Sequence, residues 1–155
     1  MLQLGKNSQN FTLDATQLLA TPLEQLFTFF ADAKNLEQLT PSFLSFQILT
    51  PPPIEMKVGA LIDYRIKLRI FPMTWRTLIS AWEPPLRFVD EQLKGPYTLW
   101  RHEHRFEAMG ARTLVTDHVD YKVFGGSVVN ALFVRPDLER IFTFRQEEMA
   151  KRFGG

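Results

Sequence analysis

Residues 99–107 read Leu99-Trp100-Arg101-His102-Glu103-His104-Arg105-Phe106-Glu107, an uninterrupted alternation of two kinds of side chain. Successive side chains of a β-strand point to opposite faces of the sheet. One face of this predicted strand is therefore a row of charges, which suits water and cross-strand ion pairs. The other face carries two large aromatic residues and two of the three histidines of the protein. A strand that turns histidines to its apolar side either completes a polar core or lines a cavity.

The next segment alternates in the same way and should pair with this strand. Met109-Gly110-Ala111 forms a tight turn, so residues 112–123 are predicted to run antiparallel to residues 99–107. The odd-numbered positions of the new strand are its more apolar set and should face inward with the histidines. This set carries Asp117. Depending on the length of the turn, Asp117 lies opposite His102 or His104, and the spacing does not decide between them.

The rest of the chain predicts further strands, with helices near both ends. Alternation from Phe11 begins a first strand, and Thr21-Pro22-Leu23-Glu24 has the residues of a capped helix start. A second helical turn is predicted at 35–39. A short helix at 127–134 and a long one from Pro136 to about Phe153 follow from apolar residues at helical spacing. Further strands are predicted at 43–49, 60–70, 74–82 and 87–93.

These elements combine in one way that buries their apolar surfaces. A sheet with one polar face needs another element over its apolar face. The long C-terminal helix is the only element of the right length. We therefore predict an α+β fold in which a curved antiparallel sheet wraps around that helix. Residues 1–155 are expected to form one domain, with residues 1–8 flexible.

The composition narrows the classes of function. Fourteen Phe, three Trp and three Tyr suit an interior with a large apolar pocket. A net charge of +1, from 18 basic and 17 acidic residues, argues against nucleic acid as a partner. Without cysteine there is no disulfide, thiolate nucleophile or cysteine metal site. No signal peptide or run of about 18 apolar residues is present, so no transmembrane segment and a cytoplasmic location are expected.

Short motifs spread along nearly the whole chain support a family resemblance. They are Phe29-Phe30-Ala31-Asp32, Leu39-Thr40-Pro41, Val58-Gly59, Trp82-Glu83-Pro84-Pro85, Phe88-Val89-Asp90-Glu91-Gln92, Gly95-Pro96-Tyr97, the strand at 99–107 and Asp117-His118-Val119-Asp120-Tyr121. In this order the chain resembles the START-like or Bet v 1-like superfamily, and within it the SRPBCC group of polyketide cyclase/dehydrase-like ligand-binding proteins. The resemblance implies a helix-grip fold with two short helices after the first strand. It also implies a hydrophobic ligand held between the sheet and the C-terminal helix.

The residues expected to face such a cavity form the candidate ligand site. They are Tyr64, Phe88, Trp100, His102, His104, Phe106, Asp117, Tyr121, Phe142 and Arg145. A histidine paired with Asp117 could fix a tautomer, bind a polar head group, or act as acid and base. The alternative is a buried polar pair that serves only the fold.

Two functions follow from this site, and the residues leave both open. The first is binding or carriage of a hydrophobic or amphipathic small molecule. The second is a cyclase/dehydratase-like enzyme with His102 or His104 as general base and Asp117 orienting it. A protein segment in the groove is the alternative partner, and the oligomeric state is not indicated.

Several side chains near the site have more than one interpretation. Two histidines at i and i+2 with an aspartate across can ligate zinc or iron. His118, however, falls on the opposite face of its strand, so no metal and no cofactor are expected. Arg145 could pair with an inward carboxylate, Asp90 or Asp117, or bind an anionic head group. Trp75 and Trp82 have opposite parity on one strand, so one of the two should face inward.

Overall fold

The computed structural model describes residues 1–155, and all of its strands lie in one antiparallel sheet. Across the sheet the strands follow the order β1-β2-β8-β7-β6-β5-β4-β3. Their bounds are β1 Leu2–Lys6, β2 Phe11–Leu19, β3 Gln47–Ile48, β4 Leu61–Leu68, β5 Phe71–Glu83, β6 Arg87–Lys94, β7 Leu99–Met109 and β8 Arg112–Lys122.

Helical segments follow β2 and complete the chain. They are α1 Leu23–Phe30, two 3-10 helices at Ala33–Leu39 and Ser42–Leu44, α2 Gly126–Val129, a π-helical turn at Asn130–Val134, and α3 Arg135–Phe153. The last three are continuous and form one C-terminal helix of 28 residues. No helix combines the length and the apolar character that crossing a bilayer requires.

The alternation of side chains sorts the strands into inner and outer faces. On β8 the odd-numbered residues from 113 to 121 are buried, and the residues between them are partly exposed. On β4 Ile62 and Ile66 are buried, whereas Arg65 and Lys67 are exposed. Within the C-terminal helix, α3 covers the inner face with four buried side chains: Leu138, Phe142, Arg145 and Met149. The predicted helix-grip fold is confirmed.

Two apolar clusters fill the space between the sheet and the helices. The first consists of Leu13, Ala15, Ile66, Trp75, Trp100, Val119, Tyr121, Leu138 and Phe142. The second consists of Leu19, Leu26, Phe27, Phe30, Leu39, Phe88, Phe106, Val115 and Met149. His102 lies 6.2 Å from the ring of Trp100, and His104 stacks on Phe88 at 4.0 Å. The two histidines therefore lie where the clusters meet.

The charged face of β7 points outward, as predicted, and Glu103 at its centre is paired. Arg87 on β6 lies 2.8 Å from the carboxylate of Glu103, and Arg105 also contacts that carboxylate. The paired arginines cover Glu103, which is only 8% exposed although it lies on the outer face.

The chain begins with a strand that the sequence analysis did not predict. Residues 1–8 were expected to be flexible, but β1 pairs along its whole length with β2, with Leu4 opposite Leu13. This pairing satisfies the backbone of β1, and the side chains of Leu2 and Leu4 pack against the first cluster. The segment is an edge strand of the sheet.

Residues 43–49 do not form the predicted strand. Only Gln47–Ile48 are extended, because a 3-10 helix at Ser42–Leu44 is followed by Ser45 in the left-handed conformation, with φ 47°. This bend turns Leu44 inward, where its side chain is buried.

The prediction that a side chain caps the start of α1 is also wrong. The helix has Pro22 at its N-cap position and no side-chain cap. The hydroxyl of Thr21 instead donates to the carbonyl of Phe153 at 2.9 Å. Thr21 therefore ties the end of the C-terminal helix to the rest of the fold.

Both tryptophans of β5 pack inward, so the expectation of a single inward tryptophan is wrong. Trp75 belongs to the first cluster. A register shift in the pairing with β6, between Ile79 and Ala81, reverses the parity of the strand. Trp82 then packs against Phe27, with the ring centres 5.4 Å apart. An extra residue at a bulge has this effect because side chains alternate with a period of two.

Candidate functional site

A cavity of about 180 Å³ lies between the inner face of the sheet, the 3-10 segments and α3. Of the 28 residues that line it, 20 are hydrophobic. The polar lining includes a group of mutually contacting side chains: Asp90, His102, His104 and Arg145. An apolar cavity with a few convergent polar groups has the makeup of a small-molecule site.

Asp117 holds this polar group together from behind the cavity wall. Its Oδ1 atom lies 2.8 Å from Nε2 of His102, 3.2 Å from Nδ1 of His104 and 3.3 Å from Nη2 of Arg145. The strand register places Asp117 opposite His104. Its carboxylate nevertheless contacts both histidines, which answers the question that the sequence left open.

Asp90 lies on the other side of the two imidazole rings. Its Oδ2 atom is 2.6 Å from Nε2 of His104 and 3.8 Å from Nδ1 of His102. The rings themselves stack, with their centres 3.7 Å apart. Each histidine therefore turns one nitrogen toward Asp117 and the other toward Asp90.

The surroundings push the pKa values of the two histidines apart. Burial and the neighbouring His104 lower the pKa of His102 more than Asp117 and Asp90 raise it. Burial also acts against the charge of His104, but its hydrogen bonds to Asp117 and Asp90 outweigh that effect and raise its pKa. At neutral pH, His102 is therefore neutral and His104 is the more readily protonated ring.

Both carboxyl groups of the cluster are held ionised. Burial would raise the pKa of Asp117, but the charge of Arg145 and the hydrogen bonds from the histidines keep it well below its usual range. In the same way, the hydrogen bond from His104 lowers the pKa of Asp90 against the effect of burial. Two carboxylates, a protonated His104 and Arg145 together carry no net charge, which limits the cost of burying them.

His102 is left with one free acceptor. Because Asp117 is ionised, its hydrogen bond assigns the ring proton of His102 to Nε2. Nδ1 then carries a lone pair, has no hydrogen-bond partner in the protein, and belongs to a residue of the cavity wall. Such a nitrogen can accept a hydrogen bond, take a proton or ligate a metal. Asp90, His102 and His104 are the group whose donor atoms, all within 4.8 Å of one another, could hold an ion.

Seven of the ten predicted ligand-binding residues line the cavity. They are Tyr64, Phe88, Trp100, His102, His104, Phe142 and Arg145. Contact of these seven with a ligand stays a prediction.

The other three predicted residues lie away from the cavity wall. Phe106 packs against Phe30, with the ring centres 5.0 Å apart. The hydroxyl of Tyr121 donates to Asn130 at 2.9 Å. Asp117 lies behind the histidines. These three residues pack behind the cavity wall, and a ligand contact for them stays a prediction.

Sequence reasoning missed a large part of the cavity wall. Asp90 was named from the sequence only as an alternative inward carboxylate for Arg145, and it lines the cavity. The 3-10 segments contribute Leu36, Leu39 and Leu44, and their irregular spacing gives no periodic signal. His118 lies outside the site as predicted, with Nδ1 2.6 Å from Asp14 on the outer face.

The sheet that grips a long helix, with the polar cluster and the cavity between them, defines a Bet v 1/START-like helix-grip protein. The model of one family, described as polyketide cyclase / dehydrase and lipid transport, matches residues 19–149. The chain belongs to this family. No curated protein sequence matches it.

Solved structures with little sequence identity share the fold. Protein CV1439 from Chromobacterium violaceum has a TM-score of 0.72 at 11% identity, over 93% of this chain and 97% of that one. The Zhui aromatase/cyclase from a Streptomyces species has a TM-score of 0.70 at 14% identity, over 91% of this chain and 92% of that one. Protein Ms6760 from Mycobacterium smegmatis has a TM-score of 0.68 at 13% identity, over 96% of this chain and 95% of that one. These likenesses concern the fold alone.

Proposed function

We propose that the protein binds a compact amphipathic molecule whose apolar body fills the cavity and whose hydroxyl donates a hydrogen bond to Nδ1 of His102. The observation that carries this proposal is the unpaired acceptor of His102 in a mostly apolar cavity. A hydrogen bond of this kind contributes about 0.5–1.5 kcal/mol net. Asp90, 3.8 Å from the same nitrogen, offers a second acceptor.

The cavity volume supports a ligand of one or two rings. An apolar cavity of about 150 Å³ admits benzene, whereas drug-sized ligands occupy about 300–1,000 Å³. At about 180 Å³ the cavity is close to the lower figure. A long acyl chain would require the 3-10 segments to move away from α3.

The test compares two bicyclic probes by calorimetry: 1-naphthol and naphthalene, which lacks the hydroxyl. We expect 1-naphthol to bind more tightly by at least about tenfold, equivalent to about 1.4 kcal/mol. His102→Phe keeps a ring at the position and should abolish the difference. His118→Phe on the outer face is the matched control and should preserve it.

Two results would overturn the proposal. One is that neither probe binds the wild-type protein. The other is that the wild-type protein binds both equally, which would exclude recognition of the hydroxyl. Both results come from the wild-type chain, so the test does not depend on the folding of a variant.

A second candidate function is acid–base catalysis of the cyclase/dehydratase type. Nδ1 of His102 favours this function because it could take a proton from a substrate. Asp117 holds the other nitrogen of the ring, as a carboxylate does for the histidine base of many enzymes. One solved neighbour is named an aromatase/cyclase, and the family description covers both cyclases and lipid transport. Catalysis adds a proton transfer to the binding that we propose.

Proton transfer can be measured without knowing the substrate. A fused bicyclic ketone such as 2-tetralone exchanges its α-protons with D2O when a base removes them, and NMR follows the exchange. A catalytic His102 should accelerate the exchange in wild-type protein and in His118→Gln, but not in His102→Gln. If the probe binds and the exchange is not accelerated, the site is a binding site without this chemistry.

A cytoplasmic location and a protein partner stay predictions.

A further inference from the structure

We propose that Asp90, His102 and His104 form a binding site for one divalent first-row transition-metal ion. The ion would be held by two imidazole nitrogens and one carboxylate oxygen, with its remaining positions open to the cavity. No metal was expected from the sequence, because the only further histidine, His118 on β8, falls on the opposite face and the aspartate considered was Asp117. The structure supplies the carboxylate from β6, where Asp90 is directly opposite His102.

The three donor atoms lie within 4.8 Å of one another. Two ligands that are each about 2.1 Å from one ion lie about 3.0–3.4 Å apart. Oδ2 of Asp90 is 2.6 Å from Nε2 of His104 and 3.8 Å from Nδ1 of His102, so the two distances lie on either side of this range. Binding of one ion by all three groups would require the Asp90 carboxylate, which lines the cavity, to move away from His104 and toward His102.

The nitrogens that would not bind the ion are already fixed by a second carboxylate. Histidines that ligate metals almost always donate their other N–H to a carboxylate, a carbonyl or water. Here Asp117 is 2.8 Å from Nε2 of His102 and 3.2 Å from Nδ1 of His104. Arg145 holds Asp117 in turn, at 3.3 Å. One carboxylate therefore holds the non-ligating nitrogen of both rings, and binding of the ion would displace the proton that His104 Nε2 donates to Asp90.

The free lone pair of His102, which the proposed function assigns to a ligand hydroxyl, is equally open to an ion. The residue is only 7% exposed, and its Nδ1 has no hydrogen-bond partner in the protein. Two histidines and one carboxylate with open positions are the ligand set of non-haem iron(II) and of catalytic zinc sites. The ligand types favour ions of this kind over Mg²⁺ or Ca²⁺, which prefer oxygen.

The experiment uses the full-length protein after treatment with a chelator, titrated with Co²⁺ and then with Zn²⁺. Visible absorption follows the Co²⁺ complex, and calorimetry gives its stoichiometry. We expect one ion per chain, displaced by Zn²⁺. Asp90→Asn should abolish this binding, and Asp117→Asn should weaken it about 10- to 100-fold. His118→Gln is the matched control, because it removes the surface histidine beside Asp14 and Asp120.

The outcomes separate this proposal from the others. Absence of Co²⁺ uptake by the wild-type protein would overturn it, as would uptake that survives Asp90→Asn but is lost in His118→Gln. Circular dichroism checks that the variants fold, and the wild-type stoichiometry decides the case if they do not. Because the titration contains no organic ligand, its failure would leave the ligand-binding proposal untouched.

Discussion

Asp117 is the residue on which the buried polar cluster depends. It is 4% exposed, and one of its oxygens faces both histidines and Arg145. Removing a single partner from a buried charged group leaves the remaining charges without compensation. Asp117 therefore has a structural role that holds whichever ligand the cavity takes.

Asp117→Ala should lower the free energy of unfolding by about 3–5 kcal/mol, because it leaves Arg145 and His104 buried beside a missing carboxylate. Urea denaturation at pH 7 measures the change. The control is Asp14→Ala, since Asp14 is half exposed and pairs only at the surface with His118. Its expected loss is below about 1 kcal/mol. Equal losses in the two variants would contradict a central role for Asp117.

His118, on the outer face of the sheet, should make the stability of the fold depend on pH. Partial burial acts against its charge, but Asp14 and Asp120 outweigh that effect and raise its pKa above 6.5 in the folded protein. A raised folded pKa gives stability that is complete below the unfolded value and is lost as the pH rises through the folded one. The stabilisation is small, below about 1 kcal/mol, because the pair is exposed to solvent.

The measurement compares urea midpoints of wild-type protein and His118→Gln at pH 5.5 and 8.5. The wild-type protein should be the more stable at the lower pH, and the difference should shrink at the higher one. Asp14→Asn should remove most of the same dependence. A difference that grows with pH would show that the sign is wrong.

At the scale of elements, the C-terminal helix has a buried side and an exposed side. Leu138 is 1% exposed within the first cluster, whereas Leu132 in the π-helical turn is 63% exposed. Leu138→Ala should cost about 2–5 kcal/mol through lost burial and the void it leaves. Leu132→Ala, the same chemical change, should stay within about 0.5 kcal/mol. Thermal and urea unfolding of the two variants would test whether the Leu138 side of the helix packs against the sheet.

Alternation predicted the long strands and their inner faces because each strand is polar on one side only. It failed where the backbone departs from that period. The bulge near Ala81 turns Trp82 inward, and Ser45 ends an extended segment before it becomes a strand. Nothing in the local sequence reports a bulge, since its cause lies in the pairing with a neighbouring strand.

At the scale of the whole molecule, the order of elements was predictable and the cavity was not. The parity of β7 and β8 brought His102, His104 and Asp117 to one face, and this was read correctly from the sequence. The volume of about 180 Å³ depends on how the 3-10 segments close over the sheet. Those segments have no regular period. The size of the site and the leucines that line it therefore could not be derived from the sequence.

The positions of the tryptophans make the interior of this protein observable by light. Trp75 and Trp100 line the cavity, with their rings 5.5 Å apart. Trp82 does not line it and packs among phenylalanines in the neighbouring cluster. Because indole emission shifts with the polarity around the ring, two of the three fluorophores border the space that a guest would fill. A guest in the cavity should therefore shift the fluorescence emission of Trp75 and Trp100, whereas the emission of Trp82 should stay constant.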